Sequence, residues 1–234
     1  MPNPAAQARL RAAALMPNLH TLLRRRFPQA LWQGDPGRRE IALTFDDGPH
    51  PRDTPCLLEV LAKHDIKATF FSVGSQVELH SDLTRAVATA GHQIGIHGYR
   101  HRAFLLERPA ALHSQLAFTQ QLIATAVQRT PATIRDVRPP FGIFTPATLR
   151  RLISWGYRPV MWSLVPLHWL QPAETTIRQV TRQVRAGSLL VLHERLPGPP
   201  VAALADSIVA RLKAADFQFA TVEEMWRAQP AYAG

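Results

Sequence analysis

Ile41-Ala42-Leu43-Thr44-Phe45 runs directly into Asp46-Asp47-Gly48-Pro49, and the junction between these two pieces decides how the rest of the chain is read. The first piece is a short apolar strand candidate. The second puts two adjacent carboxylates at the strand end, followed by a Gly-Pro turn. Side chains alternate along a strand, so neighbouring carboxylates point apart unless the turn redirects one of them. A metal near one would leave the other free as a base. A plainer reading is an Asp pair that caps the turn before a helix near Thr54.

Working outward, the same alternation of strand and helix continues to the end of the chain. The further strand candidates are Ala68–Val73, Gln93–His97, Ile134–Val137, Pro159–Ser163, Ser188–His193 and a weaker Gln218–Ala220. Helical patterns lie between them near Thr54–His64, Asp82–Ala90, Pro109–Gln128, Pro146–Trp155, Ala173–Ala186 and Val201–Ala215, and Val222–Arg227 closes the series. Seven such units favour an α/β fold, a parallel sheet closed or nearly closed into a distorted (β/α)7-type barrel. The polar residues that could carry chemistry follow the strand candidates: Asp46-Asp47 the first, His97 the third, Arg138 the fourth, His193 the sixth. Parallel β/α barrels gather their sites at that carboxyl-terminal rim, so these residues should converge on one mouth.

Length and composition set the frame. With 234 residues, 46% apolar and 19% charged, the chain suits one domain with a substantial core and excludes disorder or a fibrous repeat. Cys56 is the only cysteine, which excludes an internal disulfide and a Cys-based zinc site. The net charge of +10 is uneven: seven arginines against Asp35 give residues 1–39 a net of +6, leaving +4 for the remainder. We therefore divide the chain into a basic N-terminal extension (1–39) and a main domain (40–228). Leu10, Ala14, Leu19, Leu22, Leu23 and Phe27 could form an apolar stripe there, interrupted by Pro17, and suggest short helices packed on the outside of the domain. No recognition motif accompanies the charge, so nucleic acid is not expected as a partner; peripheral contact with an anionic envelope or membrane surface is. No apolar run reaches the length of a span, and Ala12–Met16 is too short for a secretory core. Taking Met1 as the start, the expectation is a cytoplasmic or membrane-peripheral monomer.

Three further segments belong with Asp46-Asp47. His97-Gly98-Tyr99-Arg100-His101 spaces two histidines so that both can reach one ion from a helical turn or a compact loop. Arg138-Pro139-Pro140-Phe141-Gly142 offers a guanidinium able to hold a carboxylate ionised, and a stiff segment that could present the Phe141 N–H to a developing oxyanion; a rigid surface loop explains it equally well. Leu190-Val191-Leu192-His193 is a buried strand ending in a histidine placed to act as an acid.

Together these segments resemble the polysaccharide deacetylase family, also called the NodB-homology or carbohydrate esterase 4 family, over about Glu40 to Glu224. The resemblance implies a metal-dependent hydrolase that removes N-acetyl groups from amino sugars of a glycan, an oligosaccharide or a lipid-linked precursor. It implies Asp46 as general base, Asp47, His97 and His101 as ligands of one divalent metal, and His193 as general acid. Arg138 would orient Asp46, and the Phe141 N–H would help with the oxyanion. The metal is expected to be Zn2+, with Co2+, Ni2+ or Mn2+ as alternatives. Trp169 is the candidate sugar-stacking residue.

The chain departs from the family pattern in three segments, at four positions. Gly98 stands where Ser or Thr is common, and Phe141 where Tyr is frequent. In Trp162-Ser163-Leu164-Val165-Pro166-Leu167-His168-Trp169, Val165 and His168 replace the acids of the usual Asp-x-x-Asp-Trp pattern. Glu194 and His168 are the candidates to stand in for them beside His193. Two other readings stay open: a metal-dependent amidase acting on a non-sugar linear amide, and a non-catalytic carbohydrate-binding barrel.

Overall fold

A computed structural model of the chain describes residues 22–229. Seven parallel strands form its centre: β1 (Glu40–Asp46), β2 (Thr69–Ser72), β3 (Gln93–Ile96), β4 (Asp136–Val137), β5 (Arg158–Pro159), β6 (Leu189–His193) and β7 (Gln218–Phe219). The order is β5-β4-β3-β2-β1-β6, with β7 paired to the beginning of β1. β1 is the axis of the sheet, and six of its seven residues are buried. An uncharged Ile-Ala-Leu-Thr-Phe run suits a strand covered on both faces.

The sheet curls into a distorted barrel, and two isolated bridges knit its margin. Beyond β5 the chain pairs Val160 with Leu31, and Leu164 with Leu190 of β6. The predicted strand Pro159–Ser163 is therefore shorter and split. Its neighbour β4 stops at Val137 because Pro139 and Pro140 carry no N–H for a ladder. Ile134 likewise leaves the predicted fourth strand and follows a 3-10 turn, Pro131–Thr133.

Helices cover the outside and match their predicted bounds closely where a cap is written in the sequence. Pro109–Val127 opens on proline and ends at left-handed Gln128. Pro146–Ser154 is capped by the Thr145 hydroxyl, and Val222–Arg227 by a reciprocal Thr221–Glu224 box. A short helix, Gly74–Leu79, was not anticipated. No helix among the described residues is long and apolar enough to cross a membrane.

Part of the N-terminal segment belongs to the barrel wall. Residues 22–26 are helical, and Phe27, Ala30, Leu31 and Trp32 are buried in a cluster with Leu149 and Met161 or against β5. Leu22 is exposed, whereas Leu10, Ala14, Leu19 and Pro17 lie outside the described residues. Several of the arginines here serve the fold: Arg24 bonds Gln33, Arg38 pairs with Glu40, and Arg39 donates to the Ala215 carbonyl.

The two ends of the barrel differ in chemistry. At the strand starts, Thr69, Gln93, Asp136 and Arg158 join one network with the C-terminal helix. Asp136 accepts from Gln93 (2.5 Å), twice from Arg158 (2.8 and 2.7 Å) and from the Trp226 indole (3.0 Å). Gln229 there donates to the Gln33 carbonyl (2.9 Å). At the strand ends lie Asp46 and His193, directly opposite one another in the β1–β6 register, with His97 and Arg138 one residue beyond β3 and β4.

Candidate metal centre and active site

Asp46 completes β1, but Asp47 adopts φ 73°, a left-handed conformation that ends the strand. That turn overrides strand alternation and brings both carboxylates to the same mouth. His97 Nε2 stands 3.8 Å from Asp46 Oδ2 and 3.6 Å from Asp47 Oδ1, and His101 Nε2 stands 3.3 Å from the same Asp47 oxygen. The two histidines come from a loop with Gly98 at φ 80°, not from a helical turn. His97 Nδ1 meets the Arg138 carbonyl at 2.8 Å, which places the proton on Nδ1 and leaves the Nε2 lone pair facing Asp47.

These groups fit a divalent cation. One ligand atom each from Asp47, His97 and His101 lies within 4.8 Å of the others. Asp47 Oδ1 is buried and has no hydrogen-bond partner among the described residues. Burial first, and the Asp46 charge second, push the Asp47 carboxyl up to about 7, while burial pushes the His97 imidazole down to about 4. A neutral imidazole beside a buried carboxyl whose one favourable charge, Arg195, is outweighed by burial and Asp46 is a donor set that suits a cation. One carboxylate with two imidazoles suits zinc-type ions.

Asp46 is held differently. Arg138, 0% exposed, gives Nη1 to Asp46 Oδ1 (2.6 Å) and to Thr44 Oγ1 (2.8 Å), and Nη2 to the Met161 carbonyl (2.9 Å). Its guanidinium lies 4.0 Å from the Phe71 ring centroid. Burial alone would raise the Asp46 pKa, but Arg138, His97 and His193 outweigh it, and the carboxyl sits below its usual range. His193 is pushed down to about 4, chiefly by burial. Its Nδ1 is buried without a hydrogen-bond partner among the described residues, so Nε2 is the ring nitrogen left to work.

The family model for polysaccharide deacetylases matches residues 33–160, more than half of the chain. The chain belongs to the polysaccharide deacetylase family. A chitooligosaccharide deacetylase of Bradyrhizobium sp. (strain ANU 289) is 33% identical over 162 residues, covering 69% of this chain and 73% of that protein. Among solved structures, the peptidoglycan N-acetylglucosamine deacetylase Bc1960 superposes with a TM-score of 0.80 at 27% identity, over 86% of this chain and 94% of that one. A family 4 acetyl xylan esterase from Clostridium thermocellum, solved with a cobalt ion, gives 0.73 at 29% identity over 80% and 90%.

Against the family pattern, the departures now have a physical setting. At Gly98 the left-handed backbone disfavours any side chain, and a Cβ would come within 3.1 Å of the Arg100 carbonyl and the Phe104 ring. Phe141 has φ 60° and Gly142 φ 65°, so two successive left-handed residues turn the loop and set the exposed Phe141 ring edge-on to His101, centroids 4.3 Å apart. Trp169 lies edge-on to the His193 ring at 4.9 Å. Glu194 does not stand in for a missing acid beside His193. Its carboxylate lies under the Asp47–Pro49 turn, where it accepts from the Thr54 hydroxyl and where a Cβ on Gly48 would collide with it. His168 does meet His193, at the backbone: its Nε2 accepts the His193 N–H at 3.0 Å.

Sequence reasoning passed over three partners of the Arg138–Asp46 pair. Thr44 was accessible to it, because residues two apart in a strand share a face. Phe71 is opposite Asp46 in the β1–β2 register, and the Met161 carbonyl arrives from β5's continuation; neither has a local signal.

Proposed function

We propose that this protein removes N-acetyl groups from N-acetylglucosamine units of an oligosaccharide or a peptidoglycan strand. One observation carries the reading: a carboxylate kept ionised by a buried arginine stands beside the Asp47/His97/His101 donor set and opposite His193. A divalent ion held by those three residues, Zn2+ by its donor set, supplies Lewis acidity towards the acyl carbonyl and the attacking water. Asp46 then takes a proton from the water as it adds to the acetamide carbon, and Arg138 keeps that carboxylate aimed and charged. The Phe141 N–H receives part of the oxyanion charge. His193, in its imidazolium form, passes a proton through Nε2 to the departing amine as the C–N bond breaks, which gives acetate and a glucosamine, and the proton that Asp46 took from the water recharges His193. Trp169, beside His193, offers a face for a sugar ring.

The test pairs metal analysis with acetate release from N-acetylglucosamine oligomers, peptidoglycan fragments and simple linear amides. Asp46→Asn should keep the metal and lose about 100-fold or more in kcat, whereas His97→Ala should lose both. Retained metal with no acetate from any acylated sugar would sink the reading. Faster turnover of the linear amide would reassign the substrate and leave the residue roles intact.

A further inference from the structure

The loop between β5 and the helix Ala173–Gln183 contributes a buried group that the proposed reaction does not use. His168 is 1% exposed and opens a 3-10 turn, His168–Leu170, entered through Leu167 at φ 50°. Its place is explained by where the backbone ladder runs out. On the side of β6 away from β1, the Val191 N–H reaches the Leu164 carbonyl, the last such bond along the closing edge of the barrel. The next N–H to point that way belongs to His193, and its acceptor is His168 Nε2. A ring nitrogen that accepts carries no proton, so His168 is neutral, with its proton on Nδ1. Burial, which pushes its pKa down to about 4, acts in the same direction.

The surroundings leave little freedom. The His168 ring is edge-on to Trp169 at 5.3 Å, Trp169 is edge-on to His193, and the two imidazoles lie 5.8 Å apart. The loop after β6 packs on the same turn, since a Cβ on Gly198 would stand 3.2 Å from Trp169 Cα and 3.4 Å from the His168 carbonyl. We propose that His168 is a positioning residue for His193: its side chain supplies the acceptor that the barrel edge lacks beyond Leu164, and so fixes the strand end that aims the His193 imidazole. The inference rests on His193 as proton donor in the reaction above.

His168→Phe retains a buried ring but no acceptor, and His168→Gln returns an acceptor near the place of Nε2. With histidine-selective 15N labelling, the His193 amide should lose its protection against hydrogen exchange in the Phe variant and recover it in the Gln variant. In the metal-loaded enzyme, kcat should fall about 10- to 100-fold in the Phe variant, with KM and metal content unchanged, and return substantially in the Gln variant. Should the Phe variant not fold, His168→Asn, whose amide falls short of His193, takes its place against Gln. Unchanged amide protection and kcat in the acceptor-less variant would overturn the proposal. A parent enzyme without turnover on acetylated sugars would defeat the proposed reaction alone, and amide protection would still decide whether His168 holds the strand end.

Discussion

Glu194 shows how one residue can be prominent in the sequence and yet take a different place from the one expected. It follows His193 directly, but strand alternation sends its carboxylate to the other side of β6, where Thr54 donates to Oε2 and Oε1 has no hydrogen-bond partner among the described residues. Burial pushes its pKa up to about 8, from the 4.5 of the unfolded chain. Between those values the folded protein holds a proton that the unfolded chain has shed, so this group costs stability as pH rises. Glu194→Gln has no such loss. Relative to the parent it should therefore gain a few kcal/mol between about pH 4.5 and 8, read by urea denaturation across that range; a pH-independent difference would show that the carboxyl ionises normally. Asp46-Asp47, His97 and His193 stood out in the sequence because they end or directly follow an apolar run, and His101 because it lies four residues beyond His97. The contact of His168 with the His193 N–H was not legible there, since it depends on which segment lies alongside β6.

At the scale of elements, boundaries were readable wherever local chemistry writes them. Pro109, Thr145 and Thr221 mark helix starts, and Pro139-Pro140 stops β4. Gly74–Leu79 lacks such a mark, and its first residue is constrained by space. A Cβ on Gly74 would run into Thr119 Oγ1 and stand 2.8 Å from the Tyr99 ring, so the helix can approach Pro109–Val127 only as glycine. Gly74→Ala should cost about 1–3 kcal/mol through overpacking, and Thr119→Ala in the same chain should restore part of it. Additive losses in a double-mutant cycle would refute that contact as the cause.

Across the whole molecule, the carboxyl-terminal rim carries the reactive groups and the opposite rim carries a structural network. Asp136 has four donors there and is buried, so Asp136→Leu would leave Arg158 to Glu223 alone and take the acceptor from the Gln93 amide and the Trp226 indole N–H, and should destabilise by about 1–3 kcal/mol. Metal content per folded protein should not change, and loss of metal would show that the two rims are coupled. Folding this way also brings the beginning and the end of the described chain together: Gln33 and Gln229 share a hydrogen bond at the rim opposite the mouth. That juxtaposition dictates orientation on a support. A carrier coupled at position 33 or 229 leaves the catalytic opening facing the bulk liquid, so beads loaded through either position should release acetate from long glycans at a rate per molecule close to that of free enzyme, whereas attachment through Arg100 or Arg102, exposed beside His101, should block access.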